Sequence, residues 1–208
     1  MELFLYIFAA LFSVINPLGT VPIFVGLTQD DSSNSLSRTA LWTAINTLII
    51  LIISFFTGKY LLSFFGISLN SLRIAGGLII TSSGFALLTG KFTKHKGIDS
   101  RVKDDAFHRN DISLTPLAIP MLAGPGSISL LISYYQEYND AIQIITALLA
   151  ILAVCTCVFI ILRAAHFIVK WLGASGINAV SRIIGFIVIA IGIEYICSSV
   201  IDILKPYL

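Results

Sequence analysis

Between residues 3 and 27 the sequence runs apolar for about the length that crosses a bilayer. In the middle of that run stands Ile15-Asn16-Pro17-Leu18-Gly19-Thr20-Val21-Pro22. Two prolines and a glycine there predict a broken helix, because proline has no N–H to donate and its ring clashes with the preceding turn. The break frees backbone groups at membrane depth, and each costs on the order of several kcal/mol if left unpaired in lipid. A chain tolerates that only where the break is buried in protein or lines a wet cavity. A second interruption, Pro120-Met121-Leu122-Ala123-Gly124-Pro125-Gly126-Ser127, lies in the second half.

The rest of the chain makes a membrane setting hard to avoid. Of its 208 residues, 57% are hydrophobic and 12% charged, against about 25% charged in a soluble domain. Six apolar segments follow one another: 3–27, 39–57, 69–89, 112–135, 142–163 and 183–204. Shorter apolar pieces at 60–67 and 167–172 read as half-helices, interfacial turns or extensions of the third and sixth spans. Met1-Glu2-Leu3 lacks the basic start of a secretory signal, so the first segment reads as a retained span. The net charge of +2 does not suggest nucleic acid.

Residues 91–111 form the longest polar stretch and read as a solvated connector between halves 1–90 and 112–208. His95 and His108 within it read as solvated surface. With six spans, ten basic residues fall on the connector's side and three on the other. The positive-inside rule then puts the connector in the cytoplasm and both termini outside, in the periplasm for a bacterial protein.

The halves echo each other. Pro17 to Arg73 parallels Pro125 to Arg182, and Arg73-Ile74-Ala75-Gly76 parallels Arg182-Ile183-Ile184-Gly185. Phe65-Gly66-Ile67 parallels Leu172-Gly173-Ala174. Each half has a broken first span, a plain second span, a glycine bend and an Arg-led third span. Three spans is an odd number, so the second copy enters from the opposite face. The expected fold is all-α, with six transmembrane helices in two inverted three-helix repeats, a layout common among secondary transporters. Half-helix N-termini at the breaks suit a carboxylate, and the carbonyl ends suit an ammonium or cation. A zwitterion of amino-acid size answers to both.

The blocks Ile15-Asn16-Pro17-Leu18-Gly19 with Pro22, Arg73-Ile74-Ala75-Gly76-Gly77, and residues 116–128 resemble the signature blocks of the MarC family. The resemblance runs from the first span to the sixth. It implies a six-span bacterial inner-membrane protein, distantly similar to LysE-type exporters. Some members of that family are transporters of neutral amino acids such as glycine and alanine.

The candidate substrate-binding residues are Asn16, Pro17, Gly19 and Thr20 at the first break, with Gly124, Pro125, Gly126 and Ser127 at the second. Asn16 also suits the N-cap of a half-helix beginning at Pro17. The candidates for coupling or gating are Glu194, Arg73 and Arg182. Glu194 is the acid deepest in an apolar segment and is expected to face protein or water, snorkel, or carry a proton. The two arginines are expected foremost to snorkel to headgroups. Asn46 should make an interhelical hydrogen bond, and Gly76, Gly77 and Gly84 should allow close helix contact. Trp42, Trp171 and Tyr134-Tyr135 fit an interfacial belt. Cys155, Cys157 and Cys197 fit neither a metal nor a redox pattern and read as buried packing residues.

The expected function is transport of a small neutral solute by alternating access, with H+ or Na+ as possible coupling ions. No enzyme activity, cofactor or metal is expected, because the apolar segments carry one Glu and no His cluster. A channel or a regulatory subunit are the rival readings. A channel lacks a ring of like charges, and a regulatory subunit leaves both breaks unexplained.

Overall fold

The computed structural model describes residues 1–29, 31–90, 112–138 and 140–205. The connector at 91–111, with His95 and His108, lies outside the described residues. Regular structure among those described is all helical. The elements are α1 (Glu2–Ile15), α2 (Pro17–Leu27), α3 (Ser33–Phe65), α4 (Leu69–Leu88), α5 (Ser113–Leu122), α6 (Pro125–Glu137), α7 (Ala141–Arg163) and α8 (Ala165–Leu204). Five stretches are long and apolar enough to cross a membrane, and the bent pair α5–α6 makes a sixth.

Capping chemistry explains most of the boundaries. Ser32 accepts a hydrogen bond from the Ser35 amide at the start of α3, and Ser68 accepts one from the Ser71 amide at the start of α4. Asp140 and Gln143 form a reciprocal capping box at the start of α7. Gly66 ends α3 at φ 63°, and Gly173 breaks α8 at φ 65°. Both backbones lie in the left-handed region that favours glycine. The two glycine bends paired in the sequence share a positive φ but differ in ψ, 26° at Gly66 and 172° at Gly173, so each turns the chain in its own way.

Two of the expected boundaries are corrected. The apolar piece at 60–67 does not lead into the third span; it continues α3 as far as Phe65. Nothing between Thr57 and Phe65 stops a helix, so the chain turns only where Gly66 permits it. The segment 112–135 departs from helical geometry well before the expected break. Thr115 (φ −128°, ψ 121°) and Ile119 (φ −118°, ψ 127°) are extended, and each precedes a proline, whose ring drives its neighbour out of the α region. The piece at 167–172 lies within α8 ahead of the Gly173 break, before the membrane-length stretch Ser175–Leu204.

The first broken span is the most buried of the five candidates outside the bent pair α5–α6. α1 packs against α7, and α2 against α8 and α7. In the other half, α5 and α6 pack against α3, and α6 also against α4. Each plain span thus lies along the broken span of the other half. The largest interface joins α4 to α8. A Cβ built on Gly77 would lie 2.6 Å from the Gly192 carbonyl oxygen, and one on Gly84 would lie 2.7 Å from that of Gly185. Only hydrogen fits between the backbones at those points. Gly76 is equally constrained, by the Ser129 side chain of α6. Asn46 of α3 donates to Ser113 Oγ of α5 at 3.2 Å, the interhelical bond expected of it.

Candidate functional site

The first break is a single residue wide. Asn16 ends α1 and starts α2 in a left-handed conformation (φ 47°, ψ 68°). Asparagine is among the few non-glycine residues that adopt it readily. Its amide N donates back to the Phe12 carbonyl at 2.9 Å. Its Oδ1 accepts from the Gly19 amide at 3.3 Å, and Pro17 holds the first helical position. The expected cap is therefore formed. The other half of the side-chain amide is not used: Asn16 Nδ2 is buried without a hydrogen-bond partner, as is Thr20 Oγ1 one turn later. Both residues are 0% exposed. A buried polar group left unpaired costs about 1–3 kcal/mol, so these two atoms make the first break a candidate place for a polar guest.

At the second break the chain bends by 65° between α5 and α6. Gly124 is the cap residue and Pro125 opens α6, as Pro17 opens α2. Ser127 turns back on this break: its hydroxyl lies 2.9 Å from the Gly124 carbonyl oxygen and 3.3 Å from that of Leu122. It thereby serves carbonyls that the bend has freed. Ser129 Oγ donates to the Leu72 carbonyl of α4 at 3.4 Å.

The two breaks come together in space. A Cβ on Gly126 would sit 3.4 Å from Val14 Cγ1, two residues before Asn16, and 3.2 Å from Ile80 Cγ1 of α4. The two breaks thus lie side by side, with Asn16, Pro17, Thr20, Gly124, Gly126 and Ser127 buried, Gly19 half-buried and Pro125 exposed. Gly126→Leu cannot test this locus cleanly, because the side chain has no room and would disturb packing as well as binding. Gly126→Ala is the better probe. It should lower solute affinity about tenfold while shifting Tm by only about 2–4 °C, the equivalent of about 1 kcal/mol. Parallel thermal melts and binding isotherms check it, and unchanged affinity would remove Gly126 from the site.

The gating candidates part company. Arg73 does not snorkel. Its side chain is only 13% exposed, with Nε donating to Ser133 Oγ at 2.6 Å and Nη2 to Glu137 Oε2 at 2.7 Å. The α4 face that carries it is turned toward α6, which supplies both partners. Arg182 is exposed, which agrees with snorkelling. Glu194 is also exposed, on the outer face of α8, while its neighbour Tyr195 is buried.

Other aromatic and sulfur expectations divide in the same way. Trp42 and Trp171 are exposed as a belt requires, whereas Tyr134 is fully buried. It packs against Tyr6 and Tyr138, with ring centroids 6.0 and 5.7 Å away. Just past the end of α6, burial pushes the Tyr138 phenol up to about 12, and the Glu137 charge adds to the shift. Cys155 is buried, but Cys197 is exposed, so packing does not describe all three cysteines. No group of three His, Cys, Asp or Glu side chains among the described residues is placed to hold a metal ion.

Sequence reasoning missed Glu137, Ser133 and Tyr195. Glu137 sits at a helix end, where an acid is unremarkable, and only its partner makes it notable. Gly185 and Gly192 carried a signal that could have been used. Each lies 108 positions beyond Gly77 and Gly84 respectively, the same separation as Pro17 and Pro125.

Comparison with known proteins places the chain among integral membrane proteins. The profile of the MarC family integral membrane proteins matches residues 1–204. A UPF0056 membrane protein of Buchnera aphidicola subsp. Schizaphis graminum is 37% identical over 198 residues, covering 94% of this chain and 90% of the relative. The UPF0056 membrane protein YhcE of Escherichia coli K12 is 34% identical over 193 residues, covering 93% and 89%. The UPF0056 inner membrane protein MarC of Salmonella typhimurium LT2 is 31% identical over 201 residues, covering 92% and 91%. No solved structure matches the chain significantly. On the strength of the whole-chain match and these full-length relatives, the chain belongs to the MarC family of integral membrane proteins.

Proposed function

We propose that this chain is a carrier of a small neutral amino acid, of the size of glycine or alanine, that works by alternating access. The observation that carries the reading is the pair of unpartnered buried atoms, Asn16 Nδ2 and Thr20 Oγ1, at a helix break that touches the break of the other half. Half-helix N-termini add donors and a positive dipole end there, which suits a carboxylate.

An inverted relation of the two halves is the natural basis for the motion. Three observations support it. Pro17 and Pro125 each open the second part of a broken span. The Gly66 and Gly173 bends share a positive φ. The glycine contacts of α4 and α8 exchange onto one another when the halves are swapped, Gly77 with Gly192 becoming Gly185 with Gly84. Rocking one half against the other about this seam would open the locus to each side in turn. The setting proposed is the bacterial inner membrane, as the Salmonella relative's name has it. The termini lie on the periplasmic side and residues 91–111 in the cytoplasm, from the distribution of basic residues.

The test is counterflow in proteoliposomes loaded with unlabelled glycine or alanine, with labelled solute added outside and pH and sodium varied. The wild-type protein should accumulate label transiently. Asn16→Gly keeps a residue that tolerates the left-handed junction and caps acceptably, but it removes Nδ2. It should melt like the wild type and lose about tenfold or more in counterflow. Folded wild-type protein without counterflow would end the amino-acid reading, and an unimpaired Asn16→Gly variant would move the site elsewhere.

A further inference from the structure

The Arg73 cluster lies away from the breaks and joins four helices at one end of the bundle. Ser133, which Arg73 touches, is seven residues along α6 from Gly126, roughly 10 Å at the helical rise. Around it gather Tyr6 from α1, Tyr134 and Tyr138 from α6 and its end, and Tyr195 from α8. The hydroxyls of Tyr134 and Tyr195 are buried and lack hydrogen bonds of good geometry, although they lie near each other, Tyr6 and Ser133. Arg73 brings donors only, and among the described residues the one carboxylate it meets is that of Glu137. The carboxylate that Arg73 holds is Glu137, which is 45% exposed while Arg73 is 13% exposed.

We propose that the Arg73–Glu137 pair is a gate, closed in this structure, and that the carboxylate of an incoming zwitterion opens it by taking the place of Glu137 on Arg73. The released Glu137 carboxylate then receives the solute's ammonium group. The proposal rests on the preceding reading that the solute is an amino acid, and it assigns the end at which that solute engages the protein.

The physical argument turns on unequal burial. Glu137 can swing away at little cost, because it is the last residue of α6 and nearly half of its side chain already lies outside the protein. Arg73 cannot. Parting α4 from α6 without a substitute anion strands a largely buried guanidinium, which is strongly unfavourable. An anion that brings its own carboxylate removes that obstacle, and the neighbouring phenols of Tyr134 and Tyr195 can turn further donors to it. A solute without a carboxylate offers Arg73 nothing and leaves the pair shut. Arg182, at the corresponding place in the other half, is exposed, and among the described residues it forms no such ion pair.

Accessibility of the buried locus is the direct readout. Thr20→Cys is placed in a background of Cys155→Ala, Cys157→Ser and Cys197→Ser. Its reaction with a membrane-impermeant maleimide is followed in sealed vesicles of either orientation. Labelling should be slow with the pair intact. Glu137→Gln should raise the rate about tenfold in the orientation that exposes residue 137. Glycine and acetate should accelerate labelling with the pair intact, and glycinamide should not. Arg73→Gln should abolish the response to both carboxylates, and the exchanged pair Arg73→Glu with Glu137→Arg should restore slow labelling, which separates the ion pair from a general loss of fold. An unchanged rate in Glu137→Gln, or glycinamide acting as well as glycine, overturns the gate. Counterflow with unresponsive labelling retires the gate and keeps the carrier. Responsive labelling without counterflow keeps the gate and retires the carrier.

Discussion

Gly192→Leu should cost this protein about 3 kcal/mol or more of stability and lower its Tm by about 6–12 °C. A Cβ at position 192 would lie 2.6 Å from the Gly77 carbonyl oxygen and 2.7 Å from the Thr81 amide nitrogen. Both are backbone atoms of α4 and cannot rotate away. α4 and α8 would have to separate along the largest interface in the molecule. Apolar side chains gain nothing by leaving lipid for another apolar surface, so association here depends on contact distance, and the loss has no compensation. Gly26→Ala is the control, since nothing lies within 4 Å of the added Cβ on α2. It should be neutral or stabilise by up to about 1 kcal/mol through helix propensity. Thermal melts in detergent decide the matter. A Gly192→Leu protein that melts like the wild type would mean that α4 and α8 do not touch along this seam.

The second large effect is expected at Asn16. Asn16→Val places a β-branched residue at φ 47° and removes the acceptor that holds the Gly19 amide. The left-handed conformation costs about 1–2 kcal/mol for such a residue, and the lost cap about 0.5–2 kcal/mol. The junction of α1 and α2 should lose about 2–4 kcal/mol in all. Asn16→Gly should lose little stability, so the two variants together separate conformation from chemistry. Hydrogen exchange of the α2 amides would show the valine variant fraying from the break outward. Equal protection in the two variants would show that the left-handed junction stores no constraint.

These two predictions lie on different links of the same chain of cause. The Asn16 junction is set by residues within one turn of it, whereas the glycine seam depends on positions more than 100 residues apart. In the proposed carrier the seam also governs motion. Held backbone to backbone at Gly77–Gly192 and Gly84–Gly185, α4 and α8, one from each half, form the axis about which the halves rock, while the Arg73 clasp holds α4 to α6 at one end. The glycine contacts then carry stability in every state, and the ion pair distinguishes one state from another.

Local chemistry was readable from the residues alone. The membrane class, the positions of the spans, both helix breaks, the Asn16 cap with Pro17 after it, and the Gly66 and Gly173 bends all follow from apolar length or from the special backbones of proline, glycine and asparagine. Those effects act within a few residues, so no tertiary knowledge was needed. Helix rotation was another matter. In water an apolar face announces the core, but in a bilayer the lipid-facing and protein-facing sides are both apolar and periodicity carries little signal. Only the folded structure decided that Tyr134 turns inward and Glu194 outward, and that Arg73 meets Ser133 and Glu137 instead of headgroups. It also brought Gly126 beside Val14, so that two breaks separated by 108 positions share one buried place.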